Sequence, residues 1–421
     1  MKIRTILLGL LLSGNLTGQQ ALTLDQCQQM ARENAPRLND SEVISQMGEL
    51  KLEQAGISWF PTLELNGRAS YQSDVVELSL EGLPVAVEFP EVPHDQYGLN
   101  LDVRQNLYDG GISGKRKSYE EALTAADLQQ LEVDLYGLKG KVNRYYFPVL
   151  VLQENHRNLE IHLENLEARE LSMQTAVEQG ALLESELKVI RVEKLKIRQK
   201  FVEVSARKRA LLDALEVLCG LELSDSVQLV LPVLDPEASE GLNRPEHRLF
   251  DLRHATLEAG KELAGSRRMP VLYAYGQTGY GLPGYNMISA DWDFYYMVGA
   301  GLHWKIWDWN STRKDKQVLS YRQELLQNQR RSFNQELQSL LVQEANRIDQ
   351  HQKTMEIEEQ ILALQEEISA SAAVKLENGT LTASDYIIEL NKESQARIRL
   401  STSRVQMIQA TANYLDIQGN L

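Results

Sequence analysis

The chain is one unit written twice. Asn34-Ala35-Pro36 recurs as Asn243-Arg244-Pro245 after 209 residues, and the same interval carries Pro61-Thr62-Leu63 onto Pro270-Val271-Leu272. The interval then becomes 199 and stays there: Leu107-Tyr108-Asp109 falls on Ile306-Trp307-Asp308, Gly180 on Gly379 and Gly220 on Gly419. A fixed long period implies that neither copy buries its apolar face alone. The 421 residues, which by length would suggest two or three domains, therefore read as two fused halves. These are residues 19–220 and 243–421, joined by a linker, 221–242, that carries Pro232, Pro236 and Gly241. Short strands are expected around Gln228 to Leu234.

A formal charge of −15 with no basic stretch argues against nucleic acid as a partner. Residues 1–18 have the pattern of an export signal: Lys2 and Arg4, the apolar run Ile6 to Leu12, then small residues up to a cut after Gly18. Gln26 before Cys27 does not fit a lipoprotein signal. No later stretch is apolar over about 18 residues, so an exported chain is soluble or crosses a membrane as a β-barrel, whose strands give only a weak alternating signal. Cys27 and Cys219 are the two cysteines. In an oxidising compartment they either pair or stay as two partly buried thiols, and neither suggests a metal site or a redox motif.

Each half has the same order of parts. Helical spacing runs from about 24 to 58 and from about 244 to 268, and each run ends near a proline, Pro61 or Pro270. Strand pairs follow at 62–108 and 271–308. Leu63, Leu65, Gly67, Ala69 and Tyr71 alternate with Glu64, Asn66, Arg68 and Ser70. Tyr97, Leu99, Leu101, Val103 and Leu107 are separated by Asn100, Asp102, Arg104 and Asn106. Val298, Ala300, Leu302, Trp304 and Ile306 alternate with Gly299, Gly301, His303 and Lys305. Such alternation marks strands with one apolar and one polar face. The segment from Val271 to Tyr280 is ambiguous, with tyrosine on both faces. The indel falls in the hairpin loop, Glu81 to Asp95 against Gly281 to Asp293, where insertions are tolerated. Trp59, Tyr71, Tyr97, Tyr108, Tyr280, Trp304, Trp307 and Trp309 lie in or beside these strands. Aromatic residues at strand ends suit the interface girdles of a membrane barrel. A soluble sandwich would not explain charged and amide side chains on the opposite face.

Long helical hairpins close each half, 112–219 and 310–417. Their first arms, about 112–177 and 310–376, would each measure on the order of 100 Å at 1.5 Å per residue. Pro148 is expected to bend the first or mark a break, and Gly180 and Gly379 to form left-handed caps at the turns. On the first returning arm, positions 187, 190, 194, 197, 201, 204, 208, 211, 215 and 218 step by threes and fours, a seam for another helix. The second keeps a weaker seam with Leu400, Met407, Ala410, Tyr414 and Ile417.

This order of parts, with the Asn-x-Pro openings and glycine turns, resembles the TolC-like outer-membrane factor family over nearly the whole chain. The resemblance implies a mixed fold, a membrane β-barrel continued by a long α-helical coiled-coil barrel. It implies a homotrimer with four strands per subunit in a shared twelve-stranded barrel, in the outer membrane of a Gram-negative bacterium with the tunnel in the periplasm. The implied function is the exit duct of a tripartite efflux pump or type I secretion system, opened by a periplasmic adaptor and an inner-membrane transporter. Physical constraints agree: four strands cannot close a barrel alone, and open edges are not viable in lipid.

No catalytic constellation stands out, and the histidines show no metal-ligand spacing, so a passive conduit without cofactor or metal is expected. By resemblance, acidic gate positions lie six and nine residues after Gly379, at Asp385 and Ile388. Only Asp385 is acidic, with Glu389 adjacent, and Glu186 is the repeat equivalent of Asp385. Three copies of Asp385 would form a cation-attracting ring. Alternatively Asp385 supports a helix start capped by Thr382. Leu381 replaces a basic residue that helps lock the closed mouth in some relatives. Gln179, Gly180, Ala181 and Leu182, with Asn378, Gly379, Thr380 and Leu381, are the expected adaptor-docking turns, or plain hairpin turns. The competing readings are a pore-less periplasmic coiled-coil scaffold or adaptor and a secreted enzyme. The first leaves the amphipathic strands unexplained, and nothing in the sequence supports the second.

Overall fold

The structure, a computed structural model, describes residues 21–75, 92–225, 227–235, 241–286 and 291–421. The expected export signal, most of the first hairpin loop, positions 287–290 of the second, and linker positions 226 and 236–240 lie outside the described residues. In chain order the elements are β1 (Ala21–Leu22), α1 (Leu24–Glu33), α2 (Asp40–Ile57), β2 (Thr62–Tyr71), β3 (Asp95–Tyr108), α3 (Ile112–Tyr136), α4 (Leu138–Glu178), α5 (Glu184–Cys219), β4 (Gln228–Leu229), α6 (Pro245–Ser266), β5 (Val271–Leu282), β6 (Asp293–His303), α7 (Ser311–Glu377) and α8 (Ala383–Gln418). They form two compact units that cut across the repeat: 1–38, 132–245 and 333–421 make one, 39–131 and 246–332 the other.

The first unit is a helical bundle. Leu24, Cys27, Val142, Tyr146, Phe147, Leu212, Leu215 and Val405 form one core, and Leu166, Ile190, Ile197, Leu376, Tyr386 and Leu390 belong to a second, nearer the turns. The seam expected on α5 is buried or half-buried at every position. Its two lysines are satisfied: Lys194 pairs with Glu170 at 2.7 Å, and Lys208 donates to the Asp225 carbonyl at 3.0 Å. The repeat anchors have a packing reason. Gly220 ends α5 at φ +68° with no room for a Cβ beside the Asn34 side chain, which donates to the Val217 and Leu218 carbonyls. Gly419 ends α8 at φ +86° against the backbone of Asn243. Each Asn-x-Pro thus seats on the glycine that ends its own returning helix. The expected linker strand is the two-residue β4, paired in parallel with β1.

The second unit carries an antiparallel four-stranded sheet in the order β2-β3-β5-β6. Asp109 and Asp308, at the end of the matched tripeptides, open the helices that follow the two strand pairs. Asp109 accepts from the Ser113 N–H at 2.8 Å and Asp308 from the Thr312 N–H at 3.0 Å.

Four sequence expectations change in detail. The run at 24–58 is two helices, because Pro36 bars the preceding residue from the α region and a 3-10 turn, Pro36–Asn39, intervenes. The first long arm breaks at Gly137, where glycine weakens a helix. It continues through Pro148, so the proline marks no break in the helix. The last strand ends at His303 rather than reaching Ile306, since its next partner across β5 would be Pro270, which has no N–H to offer. A bulge between Asn106 and Tyr108 puts Tyr108 opposite Leu272, so Tyr108, not Leu107, continues the apolar face.

Candidate functional site: the helical turns and the apolar sheet face

The two hairpin turns have the same backbone. Gly180 and Gly379 stand at φ +72° and +68°. Gly180 donates to the Val177 carbonyl and Ala181 to that of Ala176; Gly379 donates to Leu376 and Thr380 to Lys375. This is the Schellman pattern, which closes the orphan carbonyls of a helix end and favours glycine at the left-handed position. Gln179, Gly180, Ala181, Asn378, Gly379 and Thr380 are exposed, whereas Leu182 and Leu381 are half-buried and pack on the core beneath. The eight turn residues therefore divide into a polar rim and two apolar plugs.

The helix starts after the turns differ. Leu183, the residue before α5, makes no side-chain cap. Thr382 caps α8, accepting from the Asp385 N–H at 3.1 Å, and its hydroxyl donates to the Asp385 carboxylate at 2.7 Å. The Glu186 carboxylate, arriving from the other hairpin, accepts from the Ala383 N–H at 2.7 Å. The repeat-equivalent acids thus converge on one helix N-terminus, whose unsatisfied N–H groups and dipole favour negative charge. Asp385 remains exposed and Glu186 is half-buried. Glu389 lies one turn further along α8, accepting from Lys392 at 2.8 Å and Gln365 at 3.1 Å. The Lys392 and Gln365 bonds hold its carboxyl below the usual range.

A polar layer crosses the bundle above this point. Asn391 donates to Glu193 at 2.9 Å, Ser369 bonds Glu393, and Asn158 donates to Ser401 at 2.9 Å. Burial opposes the charge on Glu193, but the Asn391 and Lys196 hydrogen bonds outweigh it and lower its carboxyl pKa. His162 is 3% exposed, and burial lowers its pKa against the opposing pull of Glu193. Nothing in the sequence pattern marked this layer, because its members sit at core positions of helices that otherwise look apolar there.

The sheet has two unlike faces. On one, Asn66 and Gln277 both donate to Asp102, at 2.8 and 2.7 Å, Tyr295 bonds Asn100, and the Arg104 guanidinium lies 3.9 Å over the Tyr273 ring. The tyrosines that made β5 ambiguous are explained here. Tyr273 and Tyr275 cover Gly301 and Gly299 of β6, where a Cβ would meet their rings. The other face is apolar and open: Leu65 is 68% exposed, Val298 77% and Leu302 64%. From Leu272 to Tyr280 the strand covers about 27 Å, close to the height of the apolar band of outer-membrane barrels.

Aromatic residues mark both ends of that face. At the hairpin end Tyr97 and Tyr280 stack on Trp292, at 6.0 and 5.3 Å, and Tyr71 stacks on His94. At the helix end are Trp59, Tyr108, Trp304, Trp307 and Trp309, all substantially exposed. Trp292 and Tyr296, which the sequence also places beside the strands, lie at the same sheet, and Phe294 joins them; the alternation of Phe294 and Tyr296 with Tyr295 along β6 is the signal that marks it. Trp309 and Asn310 keep the positive φ of their repeat counterparts Gly110 and Gly111, unfavourable for a large side chain.

Among the described residues no helix is long and apolar enough to cross a membrane, and no group of His, Cys, Asp or Glu is arranged to hold a metal ion. No family model and no curated protein matches the sequence. The fold does match solved structures. The outer membrane protein VceC of Vibrio cholerae superposes with a TM-score of 0.66 at 12% identity, over 94% of this chain and 96% of that one. The open state of the Neisseria gonorrhoeae MtrE outer membrane channel gives 0.65 at 15% identity, over 94% and 88%. The Campylobacter jejuni CmeC outer membrane channel gives 0.63 at 13%, over 94% and 85%. The chain therefore has the fold of outer-membrane channels, the TolC-like architecture that the order of its parts resembles.

Proposed function

We propose that three copies of this chain form a channel-tunnel in the outer membrane of a Gram-negative bacterium. Each copy contributes four strands to a twelve-stranded barrel in lipid and its long helices to a periplasmic conduit. The observation that carries this reading is the sheet: an exposed apolar face ended by aromatics, a hydrogen-bonded polar face, and two edges, β2 and β6, that pair with no further strand among the described residues. In lipid those edges must be paired, and copies of the same sheet supply the partners. The fold likeness to outer-membrane channels supports the same reading. A periplasmic scaffold has no use for such a sheet.

The conduit carries out no chemistry of its own; it serves a tripartite efflux pump or type I secretion system, with energy from an inner-membrane transporter reached through an adaptor. The turn rims, Gln179 to Ala181 and Asn378 to Thr380, are the adaptor contact, with Leu182 and Leu381 fixing their position. Asp385 supplies a ring of three carboxylates at the periplasmic mouth. Glu186 holds the start of α8 that carries Asp385, and Glu389, neutralised by Lys392, braces α8 on α7. Purified protein in planar bilayers, run beside an unheated denaturing gel, tests this: detergent-resistant trimers with unit conductance are expected, and a non-conducting monomer would refute it.

A further inference from the structure

The only two cysteines of the chain meet in the core. Cys27 lies on α1 and Cys219 ends α5, 192 positions later, with its sulfur 3.5 Å from the Cys27 carbonyl oxygen. Both are free thiols in this structure. Both are buried, among Leu24, Val142, Leu212 and Leu215, which offer no polar partner. The approach is held from outside the pair as well: Asn34, just beyond α1, donates to the Val217 and Leu218 carbonyls at the end of α5. Two buried thiols held this near each other gain little from a weak S–H bond to a carbonyl, whereas an oxidising compartment converts such a pair to a disulfide.

We propose that Cys27 and Cys219 form an intramolecular disulfide that clamps α1 onto the end of α5. The proposal rests on export of the chain, as the outer-membrane reading requires. With both cysteines still accessible, either can lead as its thiolate, and with Cys219 leading the exchange has two steps. The Cys219 thiolate attacks the disulfide of an exported disulfide oxidant, forming a mixed disulfide and expelling one thiolate, which takes up the Cys219 proton. Cys27 then gives up its proton and attacks the Cys219 sulfur, expelling the oxidant's second sulfur, which takes up that proton. Two cysteine thiols and one disulfide become one protein disulfide and two oxidant thiols. Because both sulfurs are buried in the finished core, exchange precedes the closure of α1 over it.

The test is a thiol count on full-length protein quenched with acid, denatured, and treated with N-ethylmaleimide before and after reduction, with peptide mapping. Protein recovered in the outer-membrane fraction is expected to take up no label before reduction and two labels after it, and to yield a linked Cys27–Cys219 peptide. Free thiols in that fraction would overturn the disulfide and leave the location standing. If fractionation instead finds the chain in the cytoplasm, the location reading fails, and refolding that protein with oxidised glutathione decides the proposal. A Cys27–Cys219 link supports it, and its absence overturns it. The Cys27→Ser variant is expected to leave Cys219 labelled in either case.

Discussion

The carboxylate of Glu186 caps the backbone N–H of Ala383 at 2.7 Å, so the first copy of the repeat completes a helix of the second. The bond ties the two turns together at the point where Glu186 and Asp385 converge. It serves one hairpin only, since Leu183, just before α5, makes no side-chain cap.

Removing that carboxylate is expected to weaken the turn region. Glu186→Ala should cost about 1–2 kcal/mol, as for the loss of a good cap at a helix N-terminus. Glu186→Gln, which keeps an acceptor but loses the charge, should cost roughly half as much on the same scale. Hydrogen exchange at Ala383 and Ser384 is the direct measurement; equal protection in wild type and Glu186→Ala would show that the bond does not form.

Asp385 supports the start of α8, and two substitutions separate that role from the one proposed for it at the periplasmic mouth. Asp385→Ala removes both the mouth carboxylate and its bond to Thr382, while Thr382→Ala removes the cap and keeps the charge. In single-channel recordings Asp385→Ala should weaken block by multivalent cations and Thr382→Ala should not. A loss of about 1 kcal/mol in stability is expected from Thr382→Ala. Equal block by wild type and Asp385→Ala would place the constriction elsewhere.

At the turn rim, Gly379→Arg meets open space, with no atom within 4 Å of the added Cβ, but is strained by about 1–2 kcal/mol at positive φ. Trimers should still reach the outer membrane while export fails. Leu381→Asp should give the same export defect with an added stability loss, because that side chain packs on the core. Normal export by Gly379→Arg would remove the rim from the adaptor contact.

His162 is expected to make the bundle acid-sensitive. Burial holds the folded-state pKa below the ordinary value of 6.5, with Glu193 and Glu393 pulling it up and Lys200 down. The folded chain then binds fewer protons than the unfolded chain between those two values. Stability is full above about pH 6.5 and falls as the pH drops toward the folded pKa. The thermal midpoint should decline on acidification from pH 7.5 to 5.5, and less steeply in His162→Gln. Parallel profiles would show that other groups set the acid response.

Charge on the open sheet face should be costly only in lipid. Leu65→Arg, near the middle of the apolar band, is expected to destabilise folding into bilayers by about 2–4 kcal/mol. A charge change on the opposite face, Glu64→Lys, should alter ion selectivity with little effect on insertion. Equal folding of Leu65→Arg and wild type into vesicles would mean that this face does not meet lipid.

Periodicity carried three of the four sheet strands and the long hairpins, because alternation at period two and spacing at three and four are local properties of the chain, while the tyrosines on both faces of β5 left that strand ambiguous. The glycine turns were legible for the same reason: a left-handed cap needs glycine wherever the helices go. The repeat register marked Asn34, Gly220, Asn243 and Gly419, but not why they match. Only packing showed that each asparagine seats on a distant glycine. The break in the first long arm falls at Gly137, which the sequence reading did not single out, and not at Pro148, since whether a helix breaks depends on what packs around it as much as on one missing hydrogen bond.

The sequence by itself determined the order of the elements, the two faces of the strands and the acids near each turn. Tertiary structure decided what those acids do, bringing Glu186 onto Ala383 across the bundle and tying Glu389 to Lys392 and Gln365. It also assembled the layer of His162, Glu193 and Glu393 from three helices and set Cys219 against Cys27. The physical reason is range. Hydrophobic period and turn chemistry act over a few residues, while a hydrogen bond or thiol contact between residues nearly 200 positions apart exists only once the helices have packed.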